Sequence, residues 1–174
     1  MNTQYGFYVD LDRCIKCYAC EVACKQWKGI DAGTVSLRKV IEVTSGKFPS
    51  VKRTFISMSC MHCEQPACEA VCPTGAITKR AEDGIVVVDE SKCIGCHYCF
   101  FACPFGIPQY SDGTMKKCDF CLDRLEEGKD PICVATCPTE ALHWGPMEEL
   151  SELAREKAAR KLAGSTQPAM LISE

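Results

Sequence analysis

The sequence of 174 residues has no run of about 20 apolar residues, the length that a membrane-spanning helix needs. Residues 1–11 place no positively charged segment before an apolar stretch, which a secretory signal would require. We therefore expect a chain with neither an export signal nor a transmembrane segment of its own.

The motifs of common catalytic sites are missing as well. No GxSxG, GxGxxG, phosphate-binding loop or HExxH segment occurs, and the 20 basic and 23 acidic residues form no basic stripe. Histidine is scarce: the chain has His62, His97 and His143, and we expect them to lie near a site or on the surface rather than to bind metal. The sequence thus predicts no active site of its own and no nucleic-acid partner.

Cysteine, by contrast, is abundant, with 16 residues in four blocks of four. The blocks are Cys14, Cys17, Cys20 and Cys24; Cys60, Cys63, Cys68 and Cys72; Cys93, Cys96, Cys99 and Cys103; and Cys118, Cys121, Cys133 and Cys137. Without a secretory signal, so many cysteines favour metal ligation over a disulfide framework. The CxxCxxCxxxC spacing, with proline after the last cysteine in block three, is typical of iron–sulfur ligands.

The blocks are of two types that alternate along the chain. Blocks one and three share CxxCxxCxxxC and the residues before it, so that Val9-Asp10 aligns with Val88-Asp89, 79 positions later. Blocks two and four share CxxC, a variable gap and CxxxCPT. The order A, B, A, B indicates duplication of an ancestral unit.

Residues 76–80 and 85–88, around the turn Asp83-Gly84, predict a β-hairpin between blocks two and three. This is the layout of a two-cluster ferredoxin, in which the fourth cysteine of a block crosses to the other cluster. All sixteen cysteines then bind iron, in four sets. The sets are Cys14, Cys17, Cys20 and Cys137 (cluster 1); Cys24, Cys118, Cys121 and Cys133 (cluster 2); Cys60, Cys63, Cys68 and Cys103 (cluster 3); and Cys72, Cys93, Cys96 and Cys99 (cluster 4).

The predicted fold class is α+β, with two ferredoxin-like modules in a pseudo-twofold arrangement, a β-hairpin insertion and a C-terminal helix. The expected units are an outer module (residues 1–24 and 104–145), the insertion (25–59), an inner module (60–103), and a C-terminal helix and tail (146–174). Apolar residues at helical spacing extend the predicted helix to Gly164, and residues 165–174 have the composition of an arm or frayed end.

Two groups of residues beside the ligands are expected to tune the clusters. Aromatic side chains would exclude water from them; these are Tyr18, Tyr98, Phe100, Phe101 and Phe120. Basic side chains would raise reduction potentials, or would be ordinary solvated charges; these are Arg13, Lys16, Lys25, Lys92, Lys116 and Lys117.

Zinc and disulfides are the alternatives to iron. CxxC pairs bind zinc well, but CxxCxxCxxxC with a trailing proline is not a zinc pattern. The other functions that remain open are a subunit of a hydrogenase or formate-hydrogen complex, a free-standing polyferredoxin, and a zinc-bound interaction module.

Several segments resemble one family as a set. They are residues 60–68, Cys93-Ile94-Gly95-Cys96, residues 102–106, Lys117-Cys118-Asp119-Phe120-Cys121, Gly145-Pro146 and Glu149-Leu150. From Tyr5 to about Leu150 the sequence resembles the iron–sulfur (beta) electron-transfer subunit of dimethyl-sulfoxide-reductase-type molybdopterin oxidoreductases.

The resemblance implies four 4Fe-4S clusters between a catalytic subunit, with molybdenum or tungsten on molybdopterin, and a membrane anchor or other redox partner. Blocks one and four would face the catalytic subunit, and blocks two and three the acceptor end. Some relatives lack the cysteine equivalent to Cys99 and hold a three-iron cluster, whereas this chain keeps it. The protein would be cytoplasmic or co-exported with a signal-bearing catalytic partner, and membrane-associated through its partners.

Overall fold

The computed structural model describes residues 3–156, 160–161 and 164–173 of the chain. Short strands and helices alternate along it. The strands are β1 (Tyr5–Val9), β2 (Arg38–Lys47), β3 (Ser50–Ser59), β4 (Ile77–Lys79), β5 (Val86–Val88), β6 (Gln109–Ser111), β7 (Thr114–Lys116), β8 (Leu142–Pro146), β9 (Arg160–Lys161) and β10 (Met170–Ile172). The helices are α1 (Ala19–Trp27), α2 (Ala67–Ala70), α3 (Tyr98–Ala102), α4 (Leu122–Glu126), α5 (Ile132–Ala135) and α6 (Met147–Glu156), with a 3₁₀ turn at Glu90–Lys92.

A four-stranded sheet in the order β8-β1-β10-β9 holds the outer blocks together. Strand β1 runs antiparallel to β8, with Tyr5 opposite Pro146, and parallel to β10, with Phe7 opposite Met170. Residues 6–9 of β1 are buried, as a central strand covered on both faces requires. Since β1 leads into block one and β8 follows block four, the sheet brings these two blocks side by side.

Two antiparallel hairpins organise blocks two and three. Strands β4 and β5 pair from Ile77 opposite Val88 to Lys79 opposite Val86, and connect the two blocks. Strands β6 and β7 follow block three and turn at Asp112-Gly113, both with positive φ, the turn that matches the twist of paired strands.

The long hairpin β2–β3 pairs antiparallel from Arg38 opposite Ser59 to Lys47 opposite Ser50. Its base is buried against the rest of the protein at Arg38, Ser57 and Ser59. Its far end is solvated, and Phe48 near the turn is 92% exposed. One face of the hairpin base therefore belongs to the core.

In blocks one and three, the absence or presence of proline decides where the helix ends. Helix α1 continues past Cys24 to Trp27, as predicted, because block one has no proline after its last cysteine. Helix α3 ends at Ala102, just before Cys103-Pro104, since the residue before proline disfavours the helical conformation.

The C-terminal segment differs from expectation. Helix α6 begins at Met147, one residue after the predicted start at Pro146, which belongs to β8. The described helix ends at Glu156, and β9 occupies residues 160–161 inside the predicted helix. Residues 157–159 and 162–163 of that prediction lie outside the described residues. The expectation that residues 165–174 form an arm or a frayed end was also wrong. Met170 and Leu171 of β10 are buried, because this short strand obtains its backbone hydrogen-bond partners from β1.

Helix length bears on the membrane question. In the parts of the chain that the structure describes, no helix has the length and apolar character needed to cross a bilayer.

Candidate functional site

Three of the predicted ligand sets each line one small cavity. The sets are Cys14, Cys17, Cys20 and Cys137; Cys60, Cys63, Cys68 and Cys103; and Cys72, Cys93, Cys96 and Cys99. In each cavity, three cysteines come from one block and the fourth from another block. The fold therefore brings together side chains that are far apart in sequence.

The remaining set, Cys24, Cys118, Cys121 and Cys133, is buried where α1 packs against α5. The thiol of Cys118 interacts electrostatically with those of Cys133 and Cys24, and the thiol of Cys24 with that of Cys121. These four sulfurs form a fourth group.

Left-handed residues shape the loops that carry the cysteines. Lys16 and Tyr18 in block one have φ of 59° and 60°, and Gly95 and His97 occupy the equivalent positions of block three with φ of 66° and 65°. Left-handed residues within irregular loops direct backbone N–H groups into a concavity that binds anions, iron–sulfur clusters included. The backbone thus repeats the A-type unit of the sequence.

The B-type blocks repeat in the same way. His62 and Phe120, each two residues after the first cysteine, have φ of 42° and 64°. The last cysteines of these blocks, Cys72 and Cys137, also share a hydrogen-bonding pattern. The N–H of Ala141 donates to Cys137 Sγ at 3.2 Å, and Thr139 Oγ1 lies 3.7 Å from that sulfur, the same distance as Thr74 Oγ1 from Cys72 Sγ.

These hydrogen bonds favour thiolates. Burial alone would raise the pKa of Cys72 and of Cys137, but hydrogen bonds from the threonine hydroxyl and from backbone N–H groups hold both pKa values below the ordinary value. A thiolate is the form that binds iron, so both residues are prepared for ligation.

Other cysteines are held as thiols until metal binds. Burial raises the pKa of Cys24 and of Cys68 to about 12 and that of Cys121 to about 11. Iron must displace these protons, so cluster binding stabilises the fold and releases acid. The donor chemistry, the grouping in fours and the anion-binding loops all fit four-iron clusters held by thiolates.

Two of the five aromatic residues, Phe120 and Tyr18, are placed as the water-exclusion expectation requires. Phe120 is fully buried and stacks on Phe7 with ring centroids 4.2 Å apart. Tyr18 is partly exposed but lines the cavity of Cys14, Cys17, Cys20 and Cys137. The other three, Tyr98, Phe100 and Phe101, are exposed and line none of the three cavities, so the structure does not support the expectation for them. These three residues lie on α3, whose buried residue is Cys99, and their side chains are on its exposed side.

Of the six basic residues named above, Lys117 is the one that is buried. Its Nζ donates to the carbonyl oxygens of Val86 and Cys118, and it lines the cavity of Cys60, Cys63, Cys68 and Cys103. The others lie on the surface or are partly exposed; Arg13, for example, pairs with Glu140 at 3.1 Å.

The histidines contribute to structure. His62 is buried, and its Nδ1 accepts a hydrogen bond from the N–H of Val86 at 3.0 Å. Burial, with Lys117, Arg38 and Lys79 nearby, lowers the pKa of His62 well below its usual value, so the ring is neutral. His97 stacks on Tyr110, at 3.7 Å between ring centroids.

Sequence reasoning missed three hydroxyl groups beside ligands. Tyr110 Oη lies 3.1 Å from Cys99 Sγ, Thr166 Oγ1 lies 3.2 Å from Cys63 Sγ, and Ser57 Oγ lies 3.3 Å from Cys20 Sγ. Ser57 and Thr166 are distant in sequence from the block they contact, whereas Tyr110 lies on β6 shortly after block three, and no local pattern signals any of them.

Comparison with known proteins agrees with this geometry. Two models of the 4Fe-4S dicluster domain match residues 51–147 and 13–76. The B subunit of the anaerobic dimethyl sulfoxide reductase of Escherichia coli (strain K12) is 50% identical over 169 residues, which cover 91% of this chain and 82% of the relative. The "Formate dehydrogenase iron-sulfur subunit" of Wolinella succinogenes is 39% identical, with coverage of 91% and 90%. The "Thiosulfate reductase electron transfer subunit PhsB" of Salmonella typhi is 43% identical, with coverage of 89% and 82%.

The dicluster matches and the sixteen cysteines together account for four 4Fe-4S clusters. With this cofactor content and these relatives, the protein belongs to the iron–sulfur electron-transfer subunits of the dimethyl-sulfoxide-reductase-type molybdopterin oxidoreductases.

Proposed function

We propose that this chain conducts electrons between a molybdopterin-containing catalytic subunit and a second redox partner. When bound, each 4Fe-4S cluster takes up and releases single electrons. Relatives named as the B subunit of anaerobic dimethyl sulfoxide reductase, from Escherichia coli and Haemophilus influenzae, favour a catalytic partner of that reductase type.

The ligands are assigned as four crossed sets. They are Cys14, Cys17, Cys20 and Cys137 for cluster 1; Cys24, Cys118, Cys121 and Cys133 for cluster 2; Cys60, Cys63, Cys68 and Cys103 for cluster 3; and Cys72, Cys93, Cys96 and Cys99 for cluster 4. The main support is that each set of side chains either lines one cavity or forms one buried group.

The four clusters would form one electron-transfer path in the order 1, 2, 3, 4. Cys20 of cluster 1 interacts electrostatically with Cys133 of cluster 2, and Cys118 of cluster 2 with Cys60 of cluster 3. Clusters 3 and 4 exchange the last ligands of blocks two and three, and helices α2 and α3 of these blocks pack together. An electron would enter at one of clusters 1 and 4 and leave at the other.

The modules are proposed to be related by a pseudo-twofold axis: residues 1–24 with 104–145 outside, and residues 60–103 inside. The matching left-handed residues of blocks one and three, and the matching hydrogen bonds of Cys72 and Cys137, support this relation. Residues 25–59 form the insertion. Within residues 146–174, β10 would count with the outer module, because it pairs with β1.

Exposed apolar residues occupy equivalent positions in blocks one and three. Ile15 and Val22 are 59% and 60% exposed, and Ile94 and Phe101 are 66% and 82% exposed. Apolar patches of this kind mark interaction sites. The block-one patch would dock the catalytic subunit, and the block-three patch would dock the second partner.

The experiment is anaerobic purification of the full chain with its bound partners, followed by metal and sulfide determination. We expect about 16 iron and 16 sulfide per chain, four per cluster, together with molybdenum or tungsten in the co-purifying subunit. Nickel in that subunit would instead indicate a hydrogenase complex. A chain without a stable partner would contradict the proposal, and zinc in place of iron would reject the clusters.

A further inference from the structure

Arg38, the first residue of β2, is 2% exposed. Its Nη1 donates to Ser57 O at 3.3 Å and to Ser57 Oγ at 3.1 Å, and its Nη2 donates to Ser59 Oγ at 2.8 Å. The guanidinium carbon also lies 4.7 Å from the centre of the Phe7 ring. These partners are neutral, and a buried charge is costly unless a charge of opposite sign lies near it.

Cysteine ligands of two clusters lie around it and provide that opposite charge. Strand β2 packs on α1, which carries the buried Cys20 and Cys24. Cys118 and Cys133 belong to the same buried cluster as Phe7, over which the guanidinium lies. Burial alone would lower the pKa of Arg38, but Cys133, Cys118, Cys20 and Cys24 interact with it so that its pKa is raised. Cys20 belongs to the proposed cluster 1, and the other three belong to cluster 2. The guanidinium is therefore a fixed positive charge that acts on both outer clusters.

Ser57 connects Arg38 to a ligand of the proposed cluster 1. Its Oγ accepts the hydrogen bond from Arg38 Nη1 and lies 3.3 Å from Cys20 Sγ. A ligating thiolate can only accept, so the Ser57 hydroxyl donates to Cys20 while Arg38 fixes its orientation.

We propose that Arg38 raises the reduction potentials of clusters 1 and 2 together, and that Ser57, oriented by Arg38, raises the potential of cluster 1 further. This inference rests on the ligand assignment proposed above. A positive charge stabilises the electron added on reduction, and solvent ions screen a buried charge weakly. Net charge and hydrogen bonds to sulfur are established determinants of cluster potential.

The test is a redox titration of the full chain, purified anaerobically with its bound partners and followed by electron paramagnetic resonance. In Arg38→Met, two of the four midpoint potentials should shift to more negative values and two should stay in place. In Ser57→Ala, one potential should shift. Lys39→Met removes the neighbouring exposed charge and is the matched control, with no expected shift.

Unchanged potentials in Arg38→Met, or an equal shift of all four, would overturn the proposal. If Arg38→Met assembles fewer clusters than the unaltered chain, the midpoint potentials of Arg38→Lys and Ser57→Ala test the proposal instead. Arg38→Lys should keep the potential of cluster 2 while Ser57→Ala lowers that of cluster 1, and an unmoved potential in Ser57→Ala would reject the role of the pair. Iron and sulfide content of the unaltered chain tests the clusters separately, so four clusters with unmoved potentials would reject only the role of Arg38.

Discussion

Tyr8 and Leu171 lie opposite each other in the parallel ladder between β1 and β10. Both side chains are buried, and they pack with Leu150 and Ala154 of α6 in one apolar cluster. The segment after α6 is thus part of the sheet that supports block one.

Leu171→Asp should destabilise this sheet, because it places a charge in the apolar cluster and removes a packed side chain. We expect a loss of about 2–5 kcal/mol in the free energy of unfolding, measured by urea unfolding with loss of the visible cluster absorption. Ser165→Asp, at an exposed position, is the control. Equal midpoints for the two variants would show that β10 contributes nothing to stability.

Cys137→Ser tests whether ligands cross between blocks. Since Cys137 shares a cavity with Cys14, Cys17 and Cys20, its loss should alter or remove cluster 1 and leave cluster 2 intact. Iron content and the resonance signals of the four clusters would show this. A change confined to the cluster held by Cys118, Cys121 and Cys133 would refute the crossed assignment.

Lys117→Met should lower the reduction potential of cluster 3. The ammonium group lines the cavity of that cluster, and it counteracts the effect of burial on the pKa of Cys68. Redox titration measures the shift. Lys116→Met is a close control, because Lys116 is partly exposed and forms an ion pair with Glu90. Equal effects in the two variants would mean that burial of Lys117 has no bearing on potential.

Gly95→Ala and Gly106→Ala separate steric overlap from backbone strain. Both glycines are left-handed, with φ of 66° and 59°, but a Cβ at Gly95 would lie 2.5 Å from the Gly113 carbonyl oxygen, while none of the described atoms lies within 4 Å of a Cβ at Gly106. Left-handed strain costs about 1–2 kcal/mol at either site, and overpacking adds about 1–3 kcal/mol at Gly95. Thermal unfolding of the loaded chain should therefore show the larger loss for Gly95→Ala, and the reverse order would contradict the expectation.

Phe101→Asp should release the second redox partner while leaving the catalytic subunit bound, because Phe101 belongs to the exposed patch of block three. Val22→Asp should have the opposite effect. Co-purification of subunits measures both. Phe48→Asp, at the exposed end of the long hairpin, provides a control with the same change in an exposed phenylalanine. Retention of every subunit by Phe101→Asp would remove the block-three patch from the partner interface.

The cysteine spacing predicted the iron–sulfur chemistry because the cysteines of each block lie close together in sequence, and because aligning the sequence with itself reveals the repeated blocks. The expected path of α1 past Cys24 was also confirmed, since one missing proline decides it. The role of Arg38 could not be predicted, because Arg38 lies 14 residues from the nearest cysteine in sequence and comes near the cluster ligands through the tertiary packing of β2 with α1 and β3. The three-residue β10 is too short for a periodic signal, and its stability comes from β1.

The proposed crossing of ligands would also set the order in which the ligand sets become complete during synthesis. In the proposed assignment, no ligand of clusters 3 and 4 lies beyond Cys103, so both sets would be complete before block four is translated. Clusters 1 and 2 need Cys133 and Cys137, and the sheet that supports block one needs β10 as well. With the proposed crossing, the first cysteines to be synthesised would thus be among the last to have all their ligand partners.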